Sequence, residues 1–160
     1  MEIVCSTDSK YIMPTGIMLT SLFESNRGEI VNVHLLHDKN SAALLDPIRT
    51  IAARYRQMIH FYLISDEIFK NFPIGLDFQV DHVGTSFATY YRLYLTEILP
   101  ADIDKVIYLD GDILVVDKLV ELWNTSVENY AIAAVPDSYN NKIEHYNRLR
   151  YPQTLGYFNA

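Results

Sequence analysis

Residues 105–117, KVIYLDGDILVVD, narrow the choice of fold more than any other stretch of the chain. Val106, Ile107, Tyr108 and Leu109 form an apolar, strand-forming run that ends in two carboxylates, Asp110 and Asp112, and a second apolar run, Ile113 to Val116, follows. Neither run alternates apolar with polar residues, as a strand with one wet face would. Continuous apolar runs suit strands covered on both faces, the strands of parallel sheets flanked by helices. Ligands in open sheets of that kind bind outside the carboxyl ends of the strands. Paired carboxylates at such an end are a ready site for a divalent cation, which can take up the charge of a phosphate or diphosphate.

The pattern is not unique in the chain. Asp102-Ile103-Asp104 repeats it in a polar connection after Pro100 and reads as a solvated turn, because no strand feeds it. For residues 110–112 a second reading stands beside the metal site: Asp-Gly between apolar runs also signals a type I′ hairpin turn. The local residues leave both open.

Elsewhere strands and helices alternate. Glu2 to Ser6 reads as a strand, and Pro14-Thr15 opens a helix that closes at Asn26-Arg27-Gly28. Ile30 to His37 is a second strand, Ser41 onward a helix with Pro47 near its start, and Ile59 to Ile64 a third strand. Ser65-Asp66-Glu67 begins a short helix ending before Pro73. Thr85 to Leu99 reads as one helix, capped by Ser86 or Thr85, with Phe87, Tyr91, Leu95 and Ile98 on its buried face. Tyr130 to Val135 reads as a further strand after the Asp pair. The order predicts an α/β, Rossmann-like fold with a mainly parallel sheet, and a single domain over 1–160.

Composition excludes several classes. A net charge of −7, from 13 basic and 20 acidic residues, with no Lys/Arg patch, argues against a nucleic-acid partner. An acidic protein that binds a diphosphate needs a metal between them, in agreement with the Asp pair. The single cysteine, Cys5, lies in the first apolar run and reads as core rather than nucleophile. No transmembrane segment or leader is legible, so a cytoplasmic location is expected.

Four segments together resemble the family 8 glycosyltransferases, the retaining enzymes related to glycogenin and to lipopolysaccharide galactosyl- and glucosyltransferases. They are IVCSTDSKY at 3–11, TSFATYYRLYL at 85–95, YLDGDILV at 108–115 and GYFNA at 156–160. The resemblance implies a GT-A fold, a UDP-sugar donor, a glycan or other hydroxyl acceptor, and transfer of a hexose with retention. It implies Mn²⁺ as the cofactor, with Mg²⁺ equally suited to oxygen ligands, held by Asp110 and Asp112 with Gly111 between them. Thr7, Asp8 and Tyr11 match the uridine-binding loop, with Tyr11 under the uracil and Asp8 at its edge; Lys10 departs from the Asn that relatives often carry. Arg92 matches a residue near the donor diphosphate and His82 one near the donor sugar. Asp137 matches a contact to sugar or acceptor, and Asn159 and Ala160 the segment that touches the sugar. Taken alone, Tyr11 reads as packing, Arg92 as a solvated helix arginine and His82 as a loop residue.

Relatives continue for roughly another hundred residues, more than half an ordinary domain. The resemblance places a further metal ligand and the reaction-centre residues there, so no catalytic residue is assigned within 1–160. The chain is expected to be the N-terminal part of a longer catalytic domain, to bind nucleotide and metal weakly, to turn over slowly and to self-associate through an unfinished core. Two other readings accompany this one. A nucleotide-binding module without activity is the first. The second is a haloacid-dehalogenase-type phosphatase with Asp110 as nucleophile, although that motif usually continues Gly-Thr where Ile113-Leu114 stands here.

Overall fold

The computed structural model describes residues 1–72 and 86–136 and the single positions 147, 150, 152 and 154. His82, Asp137, Asn159 and Ala160 lie outside the described residues. The chain divides into two compact units, Met1–Trp123 and Asn124–Ala160.

In the first unit β1 (Glu2–Thr7), β2 (Asn32–His37), β3 (Met58–Leu63) and β4 (Ile107–Tyr108) form one parallel sheet in the order β3-β2-β1-β4. Between the first three strands run α1 (Ile12–Ser25) and α2 (Asp46–Tyr55). Pro47 lies in the first turn of α2, where its missing N–H is no loss. α1 ends at Asn26, whose side chain also donates to the Leu22 carbonyl, and Gly28 then takes a φ of +89° that leads the chain into β2.

Successive strand residues point to opposite faces, and both faces are covered. Ile3, Cys5, Val33 and Leu35 pack with Met18, Leu19, Leu22, Phe23 and Ile48 from the two helices. Val4 and Leu36 pack on the other side with Phe69, Ala88 and Tyr91. Phe23, Phe69 and Tyr91 are fully buried, each contributing about 1.5–3 kcal/mol from apolar burial. This two-sided cover is why the strands read as continuous apolar runs.

Three expected elements differ. The segment 85–99 is a 3₁₀ segment, Phe87–Tyr94, followed by a single α-helical turn, α3 (Leu95–Ile98). Its aromatic and β-branched residues are weak α-formers. A three-residue repeat brings Ala88, Tyr91 and Tyr94 to the same cluster. Ser86 is the cap, accepting from the Ala88 N–H at 3.3 Å.

The run after the Asp pair is not a buried strand. Val115 is buried, but Ile113, Leu114 and Val116 are exposed. Ser21 and Ser25 of α1 take the Val115 backbone instead of a ladder: Val115 N–H donates to Ser21 Oγ at 3.0 Å, and Ser25 Oγ donates to the Val115 carbonyl at 2.8 Å. α4 (Val120–Asn124) follows.

In the second unit the expected strand at 130–135 is absent. Tyr130, Ile132 and Val135 are exposed, and only Pro136 forms an isolated bridge. A strand exists through its ladder, and these residues have apolar side chains without one.

Candidate functional site

The strand order creates the site. β2 lies on one side of β1 and β4 on the other, and the connections that lead to them cover opposite faces, so the carboxyl ends of β1 and β4 stand side by side where the strand order reverses. This is the topological switch point at which open parallel sheets bind ligands. The two segments singled out in the sequence, Thr7 to Tyr11 and Asp110 to Asp112, are those two loops.

The first loop is tightly built. Asp8 Oδ1 accepts the backbone N–H groups of Lys10 at 2.8 Å and Tyr11 at 3.0 Å, which folds the chain into the start of α1. Tyr11 is the half-buried residue before α1, and Lys10 is exposed. Thr7 is buried and accepts from Thr15 Oγ1 at 3.1 Å.

The second loop presses on the first. Leu109 N–H donates to the Val4 carbonyl at 2.9 Å, extending the parallel pairing, and the chain then turns at Gly111-Asp112. A Cβ on Gly111 would stand 2.7 Å from Thr15 Oγ1 and 3.5 Å from the Ser6 carbonyl. Glycine is required here by close approach. Neither Asp110 nor Gly111 has a positive φ, and β4 pairs in parallel with β1, so the type I′ hairpin reading fails.

Asp110 and Asp112 are exposed at this turn. Arg92, on the 3₁₀ segment, reaches Asp110 with an Nη2–Oδ1 distance of 2.6 Å, so it is not a solvated arginine. Its guanidinium lies over the Tyr108 ring. The Tyr108 and Ser6 hydroxyls are 2.7 Å apart, and burial raises the Tyr108 phenol above its ordinary range although Arg92 and Ser6 oppose it. Tyr91 donates to Asp66 Oδ1 at 2.6 Å; burial, that bond and the charges of Asp66, Asp38 and Asp8 hold its phenol protonated. The aromatic 3₁₀ segment is thereby pinned beside the mouth.

The structure therefore joins Arg92 to Asp110 and sets Gly111 against Thr15, which bonds Thr7. It places Tyr11 on the same loop as Asp8, and Asp112 on the same turn as Asp110. Sequence reasoning missed Tyr108 and Thr15 as parts of the site. For Tyr108 a signal existed, since residues i and i+2 of a strand share a face and Asp110 is two residues on. Cys5 is core as expected: it is fully buried, and burial pushes its thiol up to about 12.

The metal reading has its own test in the donor set. Asp110 and Asp112 are hard oxygen donors on an exposed turn, and one of them already attracts a cation, the Arg92 guanidinium. Both features fit a divalent ion of the Mn²⁺ or Mg²⁺ type, whose remaining positions would go to water and phosphate oxygens. Among the described residues no group of three or more His, Cys, Asp or Glu side chains is gathered around one point. Nor is any described helix long and apolar enough to cross a membrane.

Known proteins share this fold. The galactosyltransferase LgtC, solved in complex with donor and acceptor sugar analogs, superposes with a TM-score of 0.84 at 30% identity, covering 100% of this chain and 55% of its own. A putative glycosyltransferase of Haemophilus influenzae is 32% identical over 100% of this chain and 46% of its own length. The lipopolysaccharide 1,2-glucosyltransferase of Escherichia coli K12 is 24% identical over the same shares. The chain thus spans about half the length of the relatives it matches. Its fold is the α/β GT-A fold of these transferases. Residues 2–160 match the sequence profile described as glycosyl transferase family 8, and the chain belongs to that family.

Proposed function

We propose that the protein carrying this chain transfers a hexose from a UDP-sugar to a hydroxyl of a glycan or other acceptor, with retention at the anomeric carbon. One observation carries the reading: the Thr7–Tyr11 loop and the Asp110–Asp112 turn meet at the switch point of a family 8 chain. The match over 2–160 weighs against the phosphatase reading.

In this reading the loop after β1 seats the nucleoside, with Tyr11 as platform and Asp8 as its edge partner. Asp8 Oδ1 is engaged by two backbone N–H groups, so the loop is set before the base arrives. Asp110 and Asp112 would hold Mn²⁺ or Mg²⁺, which when bound supplies Lewis-acid stabilisation of the UDP leaving group. Arg92 adds a permanent positive charge beside the diphosphate position, where developing negative charge is stabilised most in a partly dry cleft. Tyr108 and Ser6 close the floor beneath that arginine. His82, Asp137, Asn159 and Ala160 are proposed as sugar and acceptor contacts.

The test is a calorimetric titration of UDP into the protein with Mn²⁺, with Mg²⁺ and with EDTA, repeated for Asp112→Ala. Binding that needs the ion and is lost in the variant supports the reading; binding that ignores both overturns it. For the chain by itself a narrower reading has support, a nucleotide-binding unit with little turnover, because the described residues gather only two carboxylates at the turn. Hydrolysis of UDP-sugar to UDP without acceptor separates the two, since a competent transferase leaks to water.

A further inference from the structure

The first carboxylate of the Asp pair already holds a cation that belongs to the chain. Arg92 Nη2 donates to Asp110 Oδ1 at 2.6 Å, its Nε donates to the Thr89 carbonyl at 3.2 Å, and its guanidinium carbon lies 4.5 Å from the centre of the Tyr108 ring. The Arg92 side chain is 22% exposed and that of Asp110 48%. The guanidinium thus rests on a ring and a long bond to a carbonyl, while its Nη2 grips a carboxylate that faces solvent.

These contacts have unequal futures when a donor binds. Neither the Thr89 carbonyl nor the Tyr108 ring gains a competing cation when a donor binds. The Asp110 carboxylate does, because a divalent ion bound there meets the positive charge of Arg92, 2.6 Å from Oδ1, whichever lone pair the ion takes. A diphosphate in turn is a better partner for the planar fork than one carboxylate oxygen, since it accepts two parallel N–H bonds.

We infer that Arg92 is an exchangeable counter-ion: it neutralises Asp110 while the site lacks donor, and releases that carboxylate to the divalent cation as its Nη2 turns to the diphosphate. The inference rests on the reading of Asp110 and Asp112 as the metal pair. The guanidinium is one rigid plane, so Nη2 leaves Asp110 as the whole fork swings across the Tyr108 ring and stretches the 3.2 Å Nε–Thr89 bond. Metal and nucleotide binding are thereby coupled. The ion alone must compete with Arg92, whereas with nucleotide present Arg92 has a new partner, and by linkage each ligand strengthens the other equally.

The experiment is Mn²⁺ binding, followed through the free-ion paramagnetic resonance signal, with and without UDP, for the unaltered chain, Arg92→Met and Asp112→Ala. Arg92→Met is expected to bind Mn²⁺ alone roughly tenfold more tightly, the scale of one charge-assisted contact, and to lose about the same factor from the gain that UDP confers, the remainder coming from phosphate oxygens on the ion. If Asp112→Ala weakens Mn²⁺ binding while Arg92→Met leaves it unchanged or weaker, the exchange is overturned and the metal pair stands. If Asp112→Ala retains the original affinity, both readings fall. A measurement on the unaltered chain needs no variant to fold well: the Arg92 side-chain N–H resonance should move when Mg²⁺ alone is added. A resonance that stays in place through saturation overturns the exchange.

Discussion

The two ends of the sheet treat polar groups in opposite ways. Toward the amino ends of β1 and β2, Glu2, Asn32 and His34 close upon one another, and the Tyr62 hydroxyl reaches back to join them from β3. His34 is 2% exposed, with Nε2 2.8 Å from Glu2 Oε2 and Nδ1 2.9 Å from the Tyr62 hydroxyl, while Asn32 Nδ2 donates to Glu2 Oε1 at 2.7 Å. At the carboxyl ends, Asp110 and Asp112 face solvent, and Arg92 pairs with Asp110. The first set spends its hydrogen-bonding capacity internally and fixes how β1, β2 and β3 lie together. The second keeps capacity in reserve. Polar residues that satisfy one another are architecture; polar residues left open on a rigid frame are the part that meets a ligand.

The sharpest way to break this contrast is to alter one residue at each end. Asp112→Ala is expected to weaken metal-dependent UDP binding by about 100-fold or more, beyond the loss typical of outer-shell changes. His34→Ala should leave the binding of the folded protein within about twofold, because coupling to a distant site is small. Calorimetry in Mn²⁺ and in EDTA reads both. A His34 variant that lost binding as Asp112→Ala does would erase the distinction between the ends.

The next effect is on stability. Gly111→Ala places a methyl 2.7 Å from Thr15 Oγ1, and overpacking of this kind costs about 1–3 kcal/mol. Urea unfolding should show it, and adding Thr15→Ala should recover part of the loss despite the broken Thr15–Thr7 bond. Full additivity of the two changes would mean that the turn does not lean on α1.

The fold was legible where two-sided burial wrote itself into the strands, as in Ile3-Val4-Cys5 and Val33 to Leu36. The carboxyl-end position of Asp110 was legible for the same reason. The local character of 87–94 was not, because the helical spacing of Phe87, Tyr91 and Leu95 also fits a three-residue repeat through Ala88, Tyr91 and Tyr94. The runs 113–116 and 130–135 misled because an apolar, β-branched segment becomes a strand only when another strand accepts its backbone. Val115 gives its backbone to Ser21 and Ser25, a pairing across 90 or more residues that no local pattern announces. The Arg92–Asp110 pair was hidden likewise: it depends on where the segment before β4 crosses the sheet.

A smaller effect probes the cap of that segment. Ser86→Ala removes the acceptor for the Ala88 N–H and should cost about 0.5–1 kcal/mol in urea unfolding. It should also weaken UDP binding slightly, since the segment carries Arg92. A loss of stability with unchanged binding would show that Tyr91 and Asp66 hold the segment without the cap.

The smallest effect belongs to the closed end and appears only in acid. Burial alone would raise the Glu2 carboxyl, but its hydrogen bonds to His34 and Asn32 and the positive charges of His34 and the amino terminus outweigh that, so it lies below its ordinary value. The folded state therefore binds this proton less readily than the unfolded state does. The stability it contributes is complete above the unfolded pKa, about 4.3, and is lost as pH falls through the lower folded value. Glu2→Gln keeps the shape and removes the titration, so the stability of the variant should fall less steeply below about pH 4.5, by at most about 1 kcal/mol at the acid limit. Urea midpoints at pH 3 to 6 measure the difference. Parallel slopes for the two proteins would mean that the carboxylate is not favoured over the acid in the fold, and the closed end would then owe its order to packing and to neutral hydrogen bonds alone.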